Sequence, residues 1–155
     1  MARILVVDDE PDMLTLLKMI IEQRAGMEVE VTNHPLEALE ILGRGQVDLM
    51  ITDLKMPGMD GIELLGEAKR LDPDLVAMVI TAYGSLESTE EAVSRGAFDF
   101  ITKPFRKEQI LLAVDRALRW RDMLRRNAEL TLRLKKSVTP ASILAGGHGP
   151  GQDTD

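Results

Sequence analysis

A chain of 155 residues has room for one domain with an appendage, and with 45% apolar and 29% charged residues it has the composition of an ordinary globular fold. The absence of cysteine excludes disulfides, thiolate metal sites and a cysteine nucleophile. Two histidines, His34 and His148, are too few for a histidine-rich zinc centre, and no apolar run approaches the roughly 18 residues of a membrane span. The net charge of −7 is unevenly spread: residues 1–115 carry 11 basic and 22 acidic groups, and residues 116–136 carry 8 basic and 2 acidic ones. The acidic body repels nucleic acid. The basic stretch is read as a solvated linker, or a partner for an acidic surface, in preference to a nucleic-acid contact. The first apolar run is only strand-length and stops at two aspartates, so no signal peptide or membrane anchor is expected.

Five short apolar runs alternate with helical patterns: Arg3–Asp8, Met27–Thr32, Asp48–Asp53, Leu75–Thr81 and Phe98–Thr102. Their starts lie 24, 21, 27 and 23 residues apart, the rhythm of strand–helix units and a parallel sheet. Runs that are apolar at nearly every position, such as Ile4–Val7 and Val76–Ile80, suit strands covered on both faces. The first helix is expected over Pro11–Arg24, with proline at its start and Gly26 past its end. The second begins near Pro35 and stops near Gly43. Asp60, with Glu63 three residues on, forms a capping box that opens the third. The fourth runs from Ser85 to before Gly96. The fifth follows Pro104-Phe105 and continues to about Lys136.

This predicts an α/β fold: a doubly wound, five-stranded parallel sheet flanked by five helices, the fifth extended. The order 2-1-3-4-5, taken by analogy with other sheets of this type, sets strands 1 and 3 side by side at the switch point, where ligands bind outside the strand ends. Asp8 and Asp9 then close strand 1 and Asp53 closes strand 3, so three carboxylates share one crevice. Such a group repels itself unless a cation intervenes. A hard oxygen-seeking ion such as Mg2+, content with a few carboxylates, waters and phosphate oxygens, meets the need. Thr81 at the end of strand 4 offers a hydroxyl donor. Lys103 after strand 5 offers a point charge for a phosphoryl oxygen, or a salt bridge to Asp53.

The segments Val6-Val7-Asp8-Asp9-Glu10, Ile51-Thr52-Asp53-Leu54-Lys55-Met56-Pro57-Gly58-Met59-Asp60-Gly61, Val79-Ile80-Thr81-Ala82-Tyr83 and Phe100-Ile101-Thr102-Lys103-Pro104-Phe105 resemble, in order and spacing, the receiver domain of a two-component response regulator. The resemblance covers residues 3 to about 120 and is nearest to receivers of nitrogen-regulation-class transcriptional activators. It implies that Asp53 accepts a phosphoryl group from a sensor histidine kinase or phosphotransfer protein. It implies that Asp8, Asp9, Asp53 and the Lys55 carbonyl hold Mg2+, and that Thr81 and Lys103 contact the phosphoryl oxygens. Phe100 takes the aromatic switch position, Tyr83 and Lys55 border the opening, and the Lys103–Pro104 bond is commonly cis in the family. A cytoplasmic signalling domain that catalyses only its own phosphotransfer and dephosphorylation is expected. A magnesium-dependent phosphohydrolase would also use a strand-end aspartate, but no inserted cap is evident, and the intact acidic set speaks against a pseudo-receiver that only binds partners.

Beyond Leu118, Trp120, Met123, Asn127, Leu130 and Leu134 recur at spacings of 3, 4, 3 and 4, an a/d seam just over two heptads long. The expected organisation is a receiver over 1–120, a helical linker over 121–136 able to form a short coiled-coil homodimer, and a disordered tail over 137–155. Met13, Met19, Met50, Met78 and Met123 are read as core or seam filler. His34 has no partner for catalysis.

Overall fold

The computed structural model describes residues 1–82 and 84–137, with side chains to 134; Tyr83 and the tail from 138 lie outside the described residues. The five apolar runs form strands β1 (Ala2–Val7), β2 (Met27–Thr32), β3 (Leu49–Thr52), β4 (Val76–Thr81) and β5 (Asp99–Thr102). Helices α1 (Pro11–Ile21), α2 (Pro35–Gly43), α3 (Gly61–Leu71), α4 (Leu86–Ser94) and α5 (Lys107–Ser137) alternate with them. All neighbouring strands pair in parallel, in the order β2-β1-β3-β4-β5. The predicted fold and order are therefore observed. β3 and β4 are buried at every position, as their uninterrupted apolar sequence requires in a sheet covered on both faces.

The register fixes what the strands deliver. Val7 pairs with Thr52 across β1 and β3, so the residues that follow each strand, Asp8 and Asp53, emerge side by side. Asp53 N–H donates to the Val7 carbonyl at 3.1 Å and extends that ladder one step beyond the strands. The aspartates thus lie just past the strand ends instead of closing them.

Local signals explain most boundaries. Asp60 Oδ1 accepts from Glu63 N–H at 2.8 Å and Glu63 reaches back to the Asp60 amide, the predicted reciprocal cap of α3. Ser85 caps α4. His34 caps α2, its Nδ1 accepting from Leu36 N–H, a role the sequence reading did not assign. α1 stops at Ile21, three residues before the expected Arg24. The amides of Gln23 and Arg24 turn back to the carbonyls of Ile20 and Ile21, and Gly26, at φ +80°, passes the chain to β2. Met50 and Met78 are fully buried as expected, whereas Met19 and Met123 are 64% and 53% exposed. Met19 lies off the stripe Leu14, Leu17, Ile20 and Ile21 that buries α1.

The chain divides into two units, Met1–Asp122 and Met123–Asp155. In the first, the core-facing stripe of α5 runs Ile110, Val114, Ala117 and then Arg121, each one helical turn from the last. Arg121 therefore belongs to the packed face, where the sequence reading had placed it in a solvated basic stretch. It is buried, with Nη2 donating to Asp72 Oδ2 at 3.2 Å and Nε 3.7 Å from Asp48 Oδ1. Asp48 also accepts from the Arg3 amide at 2.9 Å. One guanidinium thereby joins α5 to the residue before β3 and to the turn before β4. Among the described residues of the second unit, Met123, Leu130, Leu132 and Leu134 are exposed, and no described helix is long and apolar enough to cross a membrane.

Removing one partner of a buried ion pair costs more than the pair itself contributes, because the partner stays behind desolvated. Arg121→Met is expected to lower stability by about 2–3 kcal/mol, less than the full buried-pair figure because Asp72 is partly exposed. Urea denaturation checks this through a lower midpoint at unchanged slope.

Candidate functional site

At the carboxyl ends of β1 and β3, Asp8, Asp9 and Asp53 each offer a carboxylate oxygen, and these oxygens lie within 4.8 Å of one another. Asp8 and Asp53 are only 2% and 5% exposed, while Asp9 is open to solvent. Two buried carboxylates this close need compensation, and Lys103 supplies it. Its Nζ donates to Asp8 Oδ2 at 3.2 Å and to Asp53 Oδ2 at 3.0 Å, with Glu10 Oε1 at 3.6 Å. Lys103 is held there by the chain around it. Its amide donates to the Thr81 carbonyl at 2.8 Å, and the bond to Pro104 is cis, as the resemblance anticipated.

The backbone fixes the acids. Asp53 Oδ1 accepts from the amides of Leu54 at 2.6 Å and Lys55 at 3.3 Å, which leaves Oδ2 to Lys103. Asp8 Oδ1 accepts from the Glu10 amide at 2.9 Å, leaving its Oδ2 likewise to Lys103. Burial pushes the Asp8 carboxyl above the usual range. The Glu10 amide and Lys103 pull it back, Asp53 pushes the same way as burial, and the net shift is upward. For Lys103, burial acts to lower the ammonium, but its hydrogen bond to Asp53 and the charges of Asp8 and Asp53 outweigh it and hold it above its ordinary value. Lysine is thus the fixed positive charge, and Asp8 carries the cost of ionising among its neighbours.

The remaining predicted residues sit around this pair. Asp9, Glu10, Asp53, Lys55, Ala82 and Lys103 line a cleft of about 210 Å³. Thr81 is fully buried at the end of β4, level with Thr102 on β5. Lys55 is exposed at the rim. Phe100 is half-buried against the cluster Leu54, Ile62, Val79 and Ala92, which includes the residue directly after Asp53 in the chain. Tyr83 lies outside the described residues. Sequence reasoning missed Glu10 as a third acid beside Lys103; its position directly after Asp8-Asp9 was the available signal.

The arrangement can do two things. Its donor set is all oxygen, with an acidic excess over a single cation, and so fits a hard divalent ion held by few protein ligands. It also presents one carboxylate at the mouth of a small cleft beside a lysine, the setting of a carboxylate nucleophile that meets an anionic group.

Comparison with known proteins identifies the family. The sequence profile of the response regulator receiver domain matches residues 4–115. The transcriptional regulatory protein GlrR of Escherichia coli (strain K12) is 34% identical over 167 residues, covering 98% of this chain and 37% of that protein. Sporulation initiation phosphotransferase F of Bacillus subtilis (strain 168) is 35% identical over 116 residues, covering 75% of this chain and 93% of that protein. This chain spans about a third of the length of the transcriptional regulators it matches. A crystal structure of a response regulator receiver domain protein from Clostridium thermocellum is similar with a TM-score of 0.75 and 32% identity, covering 80% of this chain and 99% of that one. The beryllofluoride-activated NtrC4 receiver domain dimer, solved in solution, gives a TM-score of 0.74 and 32% identity, covering 78% of this chain and 99% of that one. With a parallel sheet of this order, an acidic crevice at its switch point and a family match over most of its length, the chain belongs to the receiver domain family of two-component response regulators.

Proposed function

We propose that Asp53 is the phosphoacceptor of this receiver and that a histidine kinase or phosphotransfer protein supplies the phosphoryl group. The observation that carries the reading is the convergence of Asp8, Asp9 and Asp53 on one another with Lys103 bonded across two of them. A carboxylate oxygen of Asp53 forms an O–P bond as the P–N bond of a phosphohistidine breaks. The bonding pair returns to the imidazole nitrogen, which takes a proton from water. Charge in the loose transition state lies on the equatorial phosphoryl oxygens, and Lys103 and the Thr81 hydroxyl meet it there. Asp8, Asp9, Asp53 and the Lys55 carbonyl would hold a magnesium ion, which when bound supplies the positive charge that lets these acids ionise together beside an incoming anion. Water later cleaves the acyl phosphate and releases inorganic phosphate, returning Asp53 to its carboxylate.

Phosphorylation adds about −1.5 to −2 charges at one point. Lys103 then has a new partner, Thr81 is drawn toward the phosphoryl oxygens, and Phe100 turns into the space that opens. Helices α4 and α5, which flank β5, carry exposed Leu86, Val93 and Leu112, which supports a changed protein–protein contact as output. Trp120, Met123, Leu130 and Leu134, all exposed along α5, support pairing of this helix with a second copy. A relative carries the name of a DNA-binding transcriptional regulator, and this chain is read as a cytoplasmic switch whose output is a protein–protein contact.

Asp53→Asn is expected to abolish acid-labile phosphate incorporation from a small phosphodonor while the circular dichroism spectrum stays native. Labelled phosphate that persists on this variant would contradict the assignment, and multiple turnover of a generic phosphate ester by the wild type would favour a hydrolase. Because the folded-state pKa of Asp8 is raised, the stability its proton confers is present at low pH and lost as pH rises through that value. At neutral pH, Asp8→Asn removes this cost. The metal-free melting temperature should rise, by about 3 °C per kcal/mol relieved, and the further rise on adding Mg2+ should disappear. Truncation after Asp122, which keeps Arg121, should convert a dimeric mass in light scattering to a monomeric one; an unchanged mass removes the helix from the interface.

A further inference from the structure

The loop from Asp53 to α3 contains two glycines that differ in what holds them. Gly58 has φ +91°, a backbone state that favours glycine, yet a methyl group added there would meet nothing within 4 Å. Gly61, the first residue of α3, is the reverse. Its φ is not in the left-handed region, so conformation does not demand glycine. Space does. A methyl group built on Gly61 would overlap the Asp53 carbonyl oxygen and stand 2.8 Å from Leu54 Cα and 2.9 Å from Asp53 C. The Gly61 amide donates to the Leu54 carbonyl at 2.7 Å, so the helix start is fastened onto the peptides that follow Asp53.

That peptide is the one that aims the acid. The Leu54 amide, part of the Asp53–Leu54 peptide, is the 2.6 Å donor to Asp53 Oδ1 and so fixes which oxygen is left for Lys103. The Lys55 amide, one step on, gives Oδ1 its second bond. Asp60 and Glu63 cap the helix reciprocally and hold Gly61 at this spot. The first turn of α3 is therefore a rigid stop against the back of the Asp53–Leu54 peptide.

We propose that Gly61 is a positioning residue for phosphoryl acceptance: its bare α-carbon lets the α3 start lie flush on the Asp53–Leu54 peptide, which sets the direction of the Asp53 carboxylate. The proposal rests on Asp53 being the acceptor. A side chain at Gly61 displaces that peptide by a large fraction of an ångström, because the atom it meets is backbone in a close-packed interior. Displacements near 1 Å cost about 10²-fold in rate where chemistry depends on aim.

Three variants test it, with phosphoramidate as donor and Mg2+ binding followed by isothermal titration. Gly61→Ala should cut the single-turnover labelling rate by about 10²-fold and weaken Mg2+ binding, with the final labelling of the folded fraction still near one phosphate per molecule. Should Gly61→Ala fold poorly, one glycine inserted between Gly58 and Met59 releases the helix start without adding an atom against the peptide, and should move rate and Mg2+ affinity the same way. Gly58→Ala should lower the melting temperature but leave both near wild type. Wild-type rate and Mg2+ affinity in the insertion variant, or in folded Gly61→Ala, overturn the proposal; so does a Gly58→Ala variant slowed as much as Gly61→Ala. Labelling of Asp53→Asn would instead overturn the acceptor assignment.

Discussion

The structure of the site turns on one constraint: buried carboxylates cannot share a crevice without positive charge between them. Asp8 and Asp53 are delivered to that crevice by the parallel register of β1 and β3, which leaves each strand with an acid at its carboxyl end. The compensating charge comes from the far edge of the sheet, since Lys103 follows β5 and reaches back past β4 to both acids. No local stretch of sequence could assemble this. The doubly wound topology brings together residues 45 to 95 positions apart, and the lysine is the pin that makes their approach tolerable.

The same constraint divides the labour among the groups. Lys103 is strengthened as a cation by its two partners, while Asp8 is burdened by burial that its partners offset only in part. A site so balanced stays poised: adding a cation relieves Asp8, and adding an anion to Asp53 gives Lys103 a competing partner. On the proposed reading, stability is surrendered at the place where the chemistry would occur, in line with the general tension between stability and function. The backbone amides of Glu10, Leu54 and Lys55 hold the acids in orientation without adding formal charge.

What was legible in the sequence follows from period and spacing. Apolar runs 21 to 27 residues apart with helical patterns between them announce a parallel sheet, and acids or a lysine directly after such runs announce its carboxyl edge. Those signals are local in sequence even though their meaning is not. The features that escaped are relations between distant residues, or cases where chemistry and position disagree. Arg121 looks like surface because it is charged and stands among other arginines, yet it continues the stripe Ile110, Val114 and Ala117 and so faces inward. Gly61 looks like ordinary turn composition, and only coordinates reveal that its α-carbon lies against the residue eight positions earlier. His34 looks idle in the sequence because no catalytic partner accompanies it, whereas its partner is the backbone of its own helix.

The placement of Arg121 changes how α5 is to be understood. β3 is only four residues long, with Asp48 just before it and Asp53 just after it. Arg121 on α5 reaches the first acid, and Lys103, four residues before α5 begins, reaches the second. The central strand is thus tied ionically at both ends to the C-terminal part of the receiver, while Ile110, Val114 and Ala117 bury the face between. A helix fastened in this way belongs to the packing of the receiver beyond Leu118, as far as Arg121. Its packed face continues through Arg121 by the geometry of the stripe, and the ion pairs to Asp48 and Asp72 set that limit more firmly than hydrophobicity does, since a desolvated guanidinium that loses its partners is costly in a way that an exposed leucine is not.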